Sequence, residues 1–233
     1  MAGQSCLKSA GAAAPAGAAP SLAGMHLCCI YGSRDEHLDS AAEFIRQGLE
    51  LVEKVIYIAD VMNAKSFLKI LREKGLKVYG RMSKGQLLIL ASRGSYLRKG
   101  VFDPASMLDM LEKETESALS GGYSALRVLG ETGWALSGAP GAGRLLEYEE
   151  RVNGFFPGRR CAALCLYDRK KFPPEMLLKI LSAHAGVMMG KQVYKNIFFS
   201  ADGKPAGKRS PRKELDYRLS MLKKTAGAVL QDS

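Results

Sequence analysis

The stretch His26–His37, HLCCIYGSRDEH, decides the fold class. From His26 to Tyr31 the run is nearly continuous in apolar character, as a strand covered on both faces requires. Gly32-Ser33-Arg34-Asp35-Glu36-His37 then leads into a segment in which Leu38, Ala41, Ala42, Ile45 and Leu49 share one helical face. The same strand-then-helix unit recurs at Val55–Ala59 (VIYIA), Gln86–Leu90 (QLLIL), Ala125–Gly130 (ALRVLG) and Cys161–Tyr167 (CAALCLY). Such a succession predicts an α/β fold, a mostly parallel sheet with helices on both faces. Helix starts are marked by Asp103-Pro104 and Pro173-Pro174-Glu175, and stops by Gly75 and Gly121-Gly122. Val187–Tyr194 (VMMGKQVY), centred on Gly190-Lys191, reads as a closing antiparallel hairpin.

The composition agrees. The chain has 233 residues, 47% of them hydrophobic, and a mean hydropathy of -0.08. That length supports one core without disulfides or metals. No run approaches the roughly 18 apolar residues of a membrane span, and collagen-like or wholly disordered classes fail on composition. The net charge is +11, from 34 Lys and Arg against 23 Asp and Glu. It is uneven: residues 201–233 hold +4, residues 1–24 hold +1, and the long body holds a diffuse +6. Nucleic-acid binding is therefore not expected of the body, and only the tail is dense enough to invite a polyanion. Residues 1–24, rich in Ala, Gly and Pro, read as a disordered leader, 25–199 as the domain, and 200–211 as a linker. A basic amphipathic helix over 212–231 follows, with Leu215, Leu219 and Leu222 as an apolar stripe for a protein partner or a second copy. Five cysteines, an odd number, with no secretion signal point to a reducing cytoplasm. Cys161 and Cys165 lack the spacing of a zinc knuckle, so neither metal nor cofactor is expected.

The loop at Gly32 has the position of a phosphate-binding loop without its chemistry. The next glycine is Gly48, no Lys-Ser/Thr pair follows, and Asp35, Glu36 and Asp39 repel a triphosphate. Gly138–Leu145 mimics the glycine spacing, but Arg144 and Leu145 stand where Lys and Ser/Thr belong. Ligands of open parallel sheets bind beyond the carboxyl ends of the strands. There stand Asp60, Gly130-Glu131 and Tyr167-Asp168, with Tyr31 and Trp134 available as an aromatic wall. Each acid doubles as a helix cap, but three at one sheet edge suit a small-molecule pocket. His184 closes the helix after Pro173 and suits a helix cap or a ligand contact, whereas His37 is expected to face solvent. Glu149 and Glu150 are adjacent and point apart on a helix, so they form no acid/base pair.

Taken together, HLCCIYGSRDE, GLELVEKVIYIAD, GYSALRVLGETGWAL, LLEYEERVN and ALCLYDRKKFPPEMLL resemble the MEDS domain over roughly 25–198. The Gly130-Glu131-x-x-Trp134 block, the Leu-Tyr-Asp block and the Phe-Pro-Pro block carry the resemblance jointly. The family's sensory domain was first described in a regulator of dichloromethane dehalogenase. The resemblance implies a relative of the RecA and circadian-clock ATPase fold with eroded nucleotide motifs, consistent with the empty loop at Gly32. It also implies a cytoplasmic input domain for small organic molecules such as hydrocarbon derivatives. Such domains commonly precede DNA-binding or kinase modules, for which residues 199–233 leave no room, so direct output by this chain is not expected. The expected function is a non-catalytic sensor in prokaryotic signal transduction or transcription regulation, acting through a partner. Its expected ligand contacts are Tyr31, Ser33, Arg34, Asp60, Glu131, Trp134, Tyr167, Asp168 and His184. The alternatives are an ATP-binding switch, or a thiol redox sensor using Cys165 or the Cys28-Cys29 pair.

Overall fold

The computed structural model describes residues 21–60, 63–98, 100–199 and 209–225. The strands are β1 (His26–Tyr31), β2 (Lys54–Ala59), β3 (Leu87–Ala91), β4 (Leu126–Glu131), β5 (Cys161–Asp168), β6 (Gly186–Met189) and β7 (Gln192–Lys195). The α-helices are α1 (Arg34–Glu50), α2 (Ala64–Glu73), α3 (Val78–Ser83), α4 (Pro104–Ser120), α5 (Leu145–Phe155), α6 (Pro174–Ala183) and α7 (Pro211–Lys224). One sheet runs in the order β3-β2-β4-β5-β1-β6-β7, parallel throughout except for the antiparallel β6–β7 edge. Each residue of β1, β2 and β4 is buried, because helices cover both faces. Side chains alternate between two cores. Leu27, Cys29, Val55 and Tyr57 join α1 and α2 on one face, while Cys28, Ile56, Val128 and Cys165 join α4, α5, α6 and α7 on the other.

The hairpin forms where expected, with Met189 opposite Gln192 across Gly190-Lys191. Two boundaries shift. Leu22 is buried and the Gly24 N–H donates to Cys161 O at 2.8 Å, so the end of the expected leader belongs to the body; residues 1–20 lie outside the described residues. The tail helix starts at Pro211 and is described to Lys224, while 200–208 and 226–231 lie outside the described residues.

The expectation of a free leucine stripe is corrected. Leu215, Leu219 and Leu222 are buried in the core that α6 also lines, and α7 packs on α6 and β7. Arg218 pairs with Glu214 at 2.8 Å and lies over the Phe198 ring, and Arg169 reaches Asp216. A short tether holds the stripe at a high effective concentration beside its own sheet, so intramolecular docking wins over a partner. The stripe is therefore spent within the chain.

Candidate functional site

Beyond the carboxyl ends of β2, β3 and β4 lies a cavity of about 740 Å³, walled by Ala59, Ile89, Leu97 and Trp134 and carrying Asp60 and Ser92. Glu131, the last residue of β4, braces it from behind. Its Oε1 accepts from the Tyr57 hydroxyl at 2.5 Å and lies 3.2 Å from His37 Nε2. Its Oε2 accepts from the Asp60 backbone N–H at 2.6 Å. At 1% exposure Glu131 is a strut tying β2, β4 and α1 together, whereas Asp60 is half-buried and faces the cavity. Asp60 Oδ1 accepts from the Ser92 hydroxyl at 2.7 Å, leaving its other oxygen available to a ligand donor. His37 is a correction: far from facing solvent, it is buried and stacks on Tyr31 with ring centroids 4.8 Å apart.

The aromatic wall is deeper than the sequence suggests. Trp134 stacks on Tyr96 at 5.0 Å and packs at a tilt against Phe102 at 4.5 Å. The glycine of the Gly130-Glu131-x-x-Trp134 block has a steric reason, since a Cβ at Gly130 would lie 1.9 Å from Tyr96 Oη. Gly141 serves the same wall: its φ is +80° and a Cβ would lie 2.2 Å from Phe102 O. The buried Trp134 indole N–H has no hydrogen-bond partner among the described residues.

The remaining expected contacts separate. Tyr31 lines a second hollow of about 540 Å³ with Arg169, Met188, Leu219 and Lys223. Burial pushes its phenol up, and the charges of Asp168, Glu131 and Asp60 push it further. Ser33 caps α1 by accepting from the Glu36 N–H at 3.2 Å, and Arg34 is exposed at the helix start. The Gly32 N–H donates to the Glu36 carboxylate at 2.6 Å, so the loop supplies its own anion where a phosphate would be cradled. Asp168 accepts from the Lys170 N–H at 2.9 Å, closing its own turn.

Tyr167 and His184 do not reach the cavity; both turn into the core toward Glu149. The Tyr167 hydroxyl donates to Glu149 Oε1, and Glu149 Oε2 lies 3.0 Å from His26 Nε2 and 3.2 Å from His184 Nε2. Cys165 Sγ is 3.6 Å from His26 Nε2. Burial pushes the Glu149 carboxyl up, but the facing His184 and His26 rings outweigh it and hold the group well below the usual carboxylate range. Burial, then His26, lowers His184. Sequence reasoning missed His26 and Glu149. A signal was present for the second: Glu149 shares the buried face of α5 with Leu145 and Val152, at helical spacings of four and three. Among the other described thiols, burial pushes Cys29 and Cys161 up to about 12 and raises Cys28 as well.

Residues 25–185 match the family model of the MEthanogen/methylotroph, DcmR Sensory domain. The chain belongs to the MEDS family. The MEDS match spans the cavity wall and the buried Glu149 cluster, while the β6–β7 hairpin and α7 lie beyond it. A curated MEDS relative is the transcriptional repressor DcmR of Methylorubrum extorquens, 30% identical over 160 residues. The alignment takes in 68% of this chain and 57% of that protein, so the chain spans little more than half of its relative. Among solved structures, a KaiC-like protein of Pyrococcus horikoshii is similar at 13% identity with a TM-score of 0.49, covering 71% of this chain and 70% of that one. The flagellar accessory protein FlaH of Methanocaldococcus jannaschii is similar at 12% identity and a TM-score of 0.49, covering 78% and 82%. Among the described residues no helix is long and apolar enough to cross a membrane.

Proposed function

We propose that this MEDS domain is a non-catalytic receptor for a small organic molecule, acting in transcriptional regulation through a partner protein in the cytoplasm. The observation that carries the reading is the cavity beyond β2, β3 and β4. Its size suits a small ligand, and it sets an apolar wall of Ala59, Ile89, Leu90, Leu97 and Trp134 beside polar groups from Asp60, Asn63, Ser92, Arg93 and Ser137. Sensing needs only a ligand that prefers one conformation, so no nucleophile or base is required. The relation to a transcriptional repressor supports the regulatory setting. Trp134 is the sole tryptophan of the chain, so its emission reports the cavity wall directly. A panel of short alcohols, halocarbons and amines, titrated against the purified chain, should contain members that change Trp134 emission saturably and raise the melting temperature. Asp60→Asn should weaken binding of ligands bearing a donor and spare those without one. If no compound moves either signal, the receptor reading fails.

The ATP-switch alternative is disfavoured by the Gly32 N–H, which the Glu36 carboxylate already occupies. Isothermal titration with ATP and Mg²⁺ should give no binding heat. A redox switch is disfavoured by the burial of Cys28, Cys29, Cys161 and Cys165.

A further inference from the structure

We propose that His26, Glu149, Cys165 and His184 form a closed binding site for one borderline divalent cation, zinc foremost. Their ligand atoms, His26 Nε2, Glu149 Oε2, Cys165 Sγ and His184 Nε2, all lie within 4.8 Å of one another in the core between the sheet, α5 and α6. A tetrahedral zinc site with bonds of about 2.0–2.3 Å has ligand-to-ligand edges of about 3.3–3.8 Å. Three separations here are 3.0, 3.2 and 3.6 Å, and the longest needs to contract by at most about 1 Å.

The surroundings orient each donor inward. His184 Nδ1 donates to Ile180 O at 2.7 Å, which commits its proton outward and leaves a lone pair on Nε2. Asn153 Nδ2 donates to Ala183 O, so its Oδ1 faces His26 Nδ1 at 3.0 Å as an acceptor, and His26 Nε2 also carries a lone pair. Tyr167 donates to Glu149 Oε1 and leaves Oε2 pointing at both rings. Outer-shell hydrogen bonds of this kind fix the tautomer and angle of metal ligands. With both rings neutral, three acceptor atoms and the Cys165 sulfur thus converge, whereas a proton on either ring pairs with Glu149 until a cation replaces it. Glu149 Oε2 and His184 Nε2 are left without a hydrogen bond although the residues are wholly buried. A cation at the centre satisfies all four.

The charge also balances. One carboxylate and one thiolate cancel a divalent ion, and two neutral imidazoles complete four ligands, so the filled site is neutral inside an apolar core. Binding displaces the Cys165 proton, and any proton the rings share with Glu149, to solvent. Four protein ligands leave no open position, which makes the site structural, pinning β1, α5, β5 and the end of α6 together. Nitrogen and sulfur donors select zinc or its neighbours over magnesium or calcium.

The test uses the full chain without a histidine tag. Elemental analysis of the purified protein should show one zinc ion per chain. Refolding from denaturant with Co²⁺ in place of zinc should give the intense visible bands of four-coordinate cobalt and a thiolate charge-transfer band. That charge-transfer band should vanish in Cys165→Ser and persist in Cys6→Ser. Asn153→Ala keeps every ligand and should weaken zinc about 10- to 100-fold in chelator competition. Should Cys165→Ser fail to fold, the charge-transfer band of the Cys6→Ser protein still decides. A natively folded chain that carries no metal and gives no cobalt spectrum overturns the proposal, the cluster then being held by a proton. A charge-transfer band lost in Cys6→Ser does so too.

Discussion

At the residue scale the two buried glutamates divide the labour of the domain. Glu131 uses both oxygens as acceptors, for Tyr57 and for the Asp60 backbone, with His37 alongside. Glu131→Gln keeps the size but turns one acceptor into a donor that faces another donor. Leaving such groups mismatched in a buried site costs about 1–3 kcal/mol. Urea denaturation should show a lower midpoint with an unchanged slope; a midpoint equal to that of the parent removes the strut from the account. Gly130 offers a second check. In Gly130→Ala the new methyl meets Tyr96 Oη, which is enclosed by the stack on Trp134 and cannot swing clear. Overpacking of this kind costs about 1–3 kcal/mol. Trp134 emission should shift as the stack opens, which an effect on backbone freedom alone does not produce.

At the scale of elements, α7 is the clearest case of a feature read correctly as an object and wrongly as a role. Its leucine spacing marks an amphipathic helix, but periodicity does not say which surface receives the stripe. The receiving surface is the chain's own, built from α6 and β7. Leu222→Ala leaves a cavity in a fully buried position and should cost about 2–4 kcal/mol, read as a lower urea midpoint of the whole domain. An unchanged midpoint together with a change in oligomeric state returns the stripe to the role of a partner surface. The strands were legible almost to the residue, because runs such as VIYIA and CAALCLY are apolar on both faces and have one structural solution. The short α3 was not, since Val78 alone of its residues is buried and no periodic face announces it.

At the scale of the molecule, what the sequence conceals is convergence. Asp60, Glu131 and Trp134 come together because parallel strands align their carboxyl ends, a rule of topology that reads from pattern alone. His26, Glu149, Cys165 and His184 come together from two strands and two helix positions far apart in the chain, with no local spacing to announce them. Charge shows the same contrast. The sequence places its densest positive segment in the tail, yet docking consumes part of it, with Arg209 and Arg218 both on Glu214. The basic side chains α7 still exposes are Arg212 and Lys213 at one end and Lys223 and Lys224 at the other. Eleven residues of helix separate the pairs by about 16 Å, so they do not form one dense patch. Four phosphate contacts from α7 alone give a slope of log affinity against log salt no steeper than about -4 on duplex DNA. Fluorescence anisotropy with a labelled duplex between about 50 and 200 mM salt should stay within that limit. A steeper slope requires more phosphate contacts than α7 exposes, and would show that α7 does not act alone on the duplex.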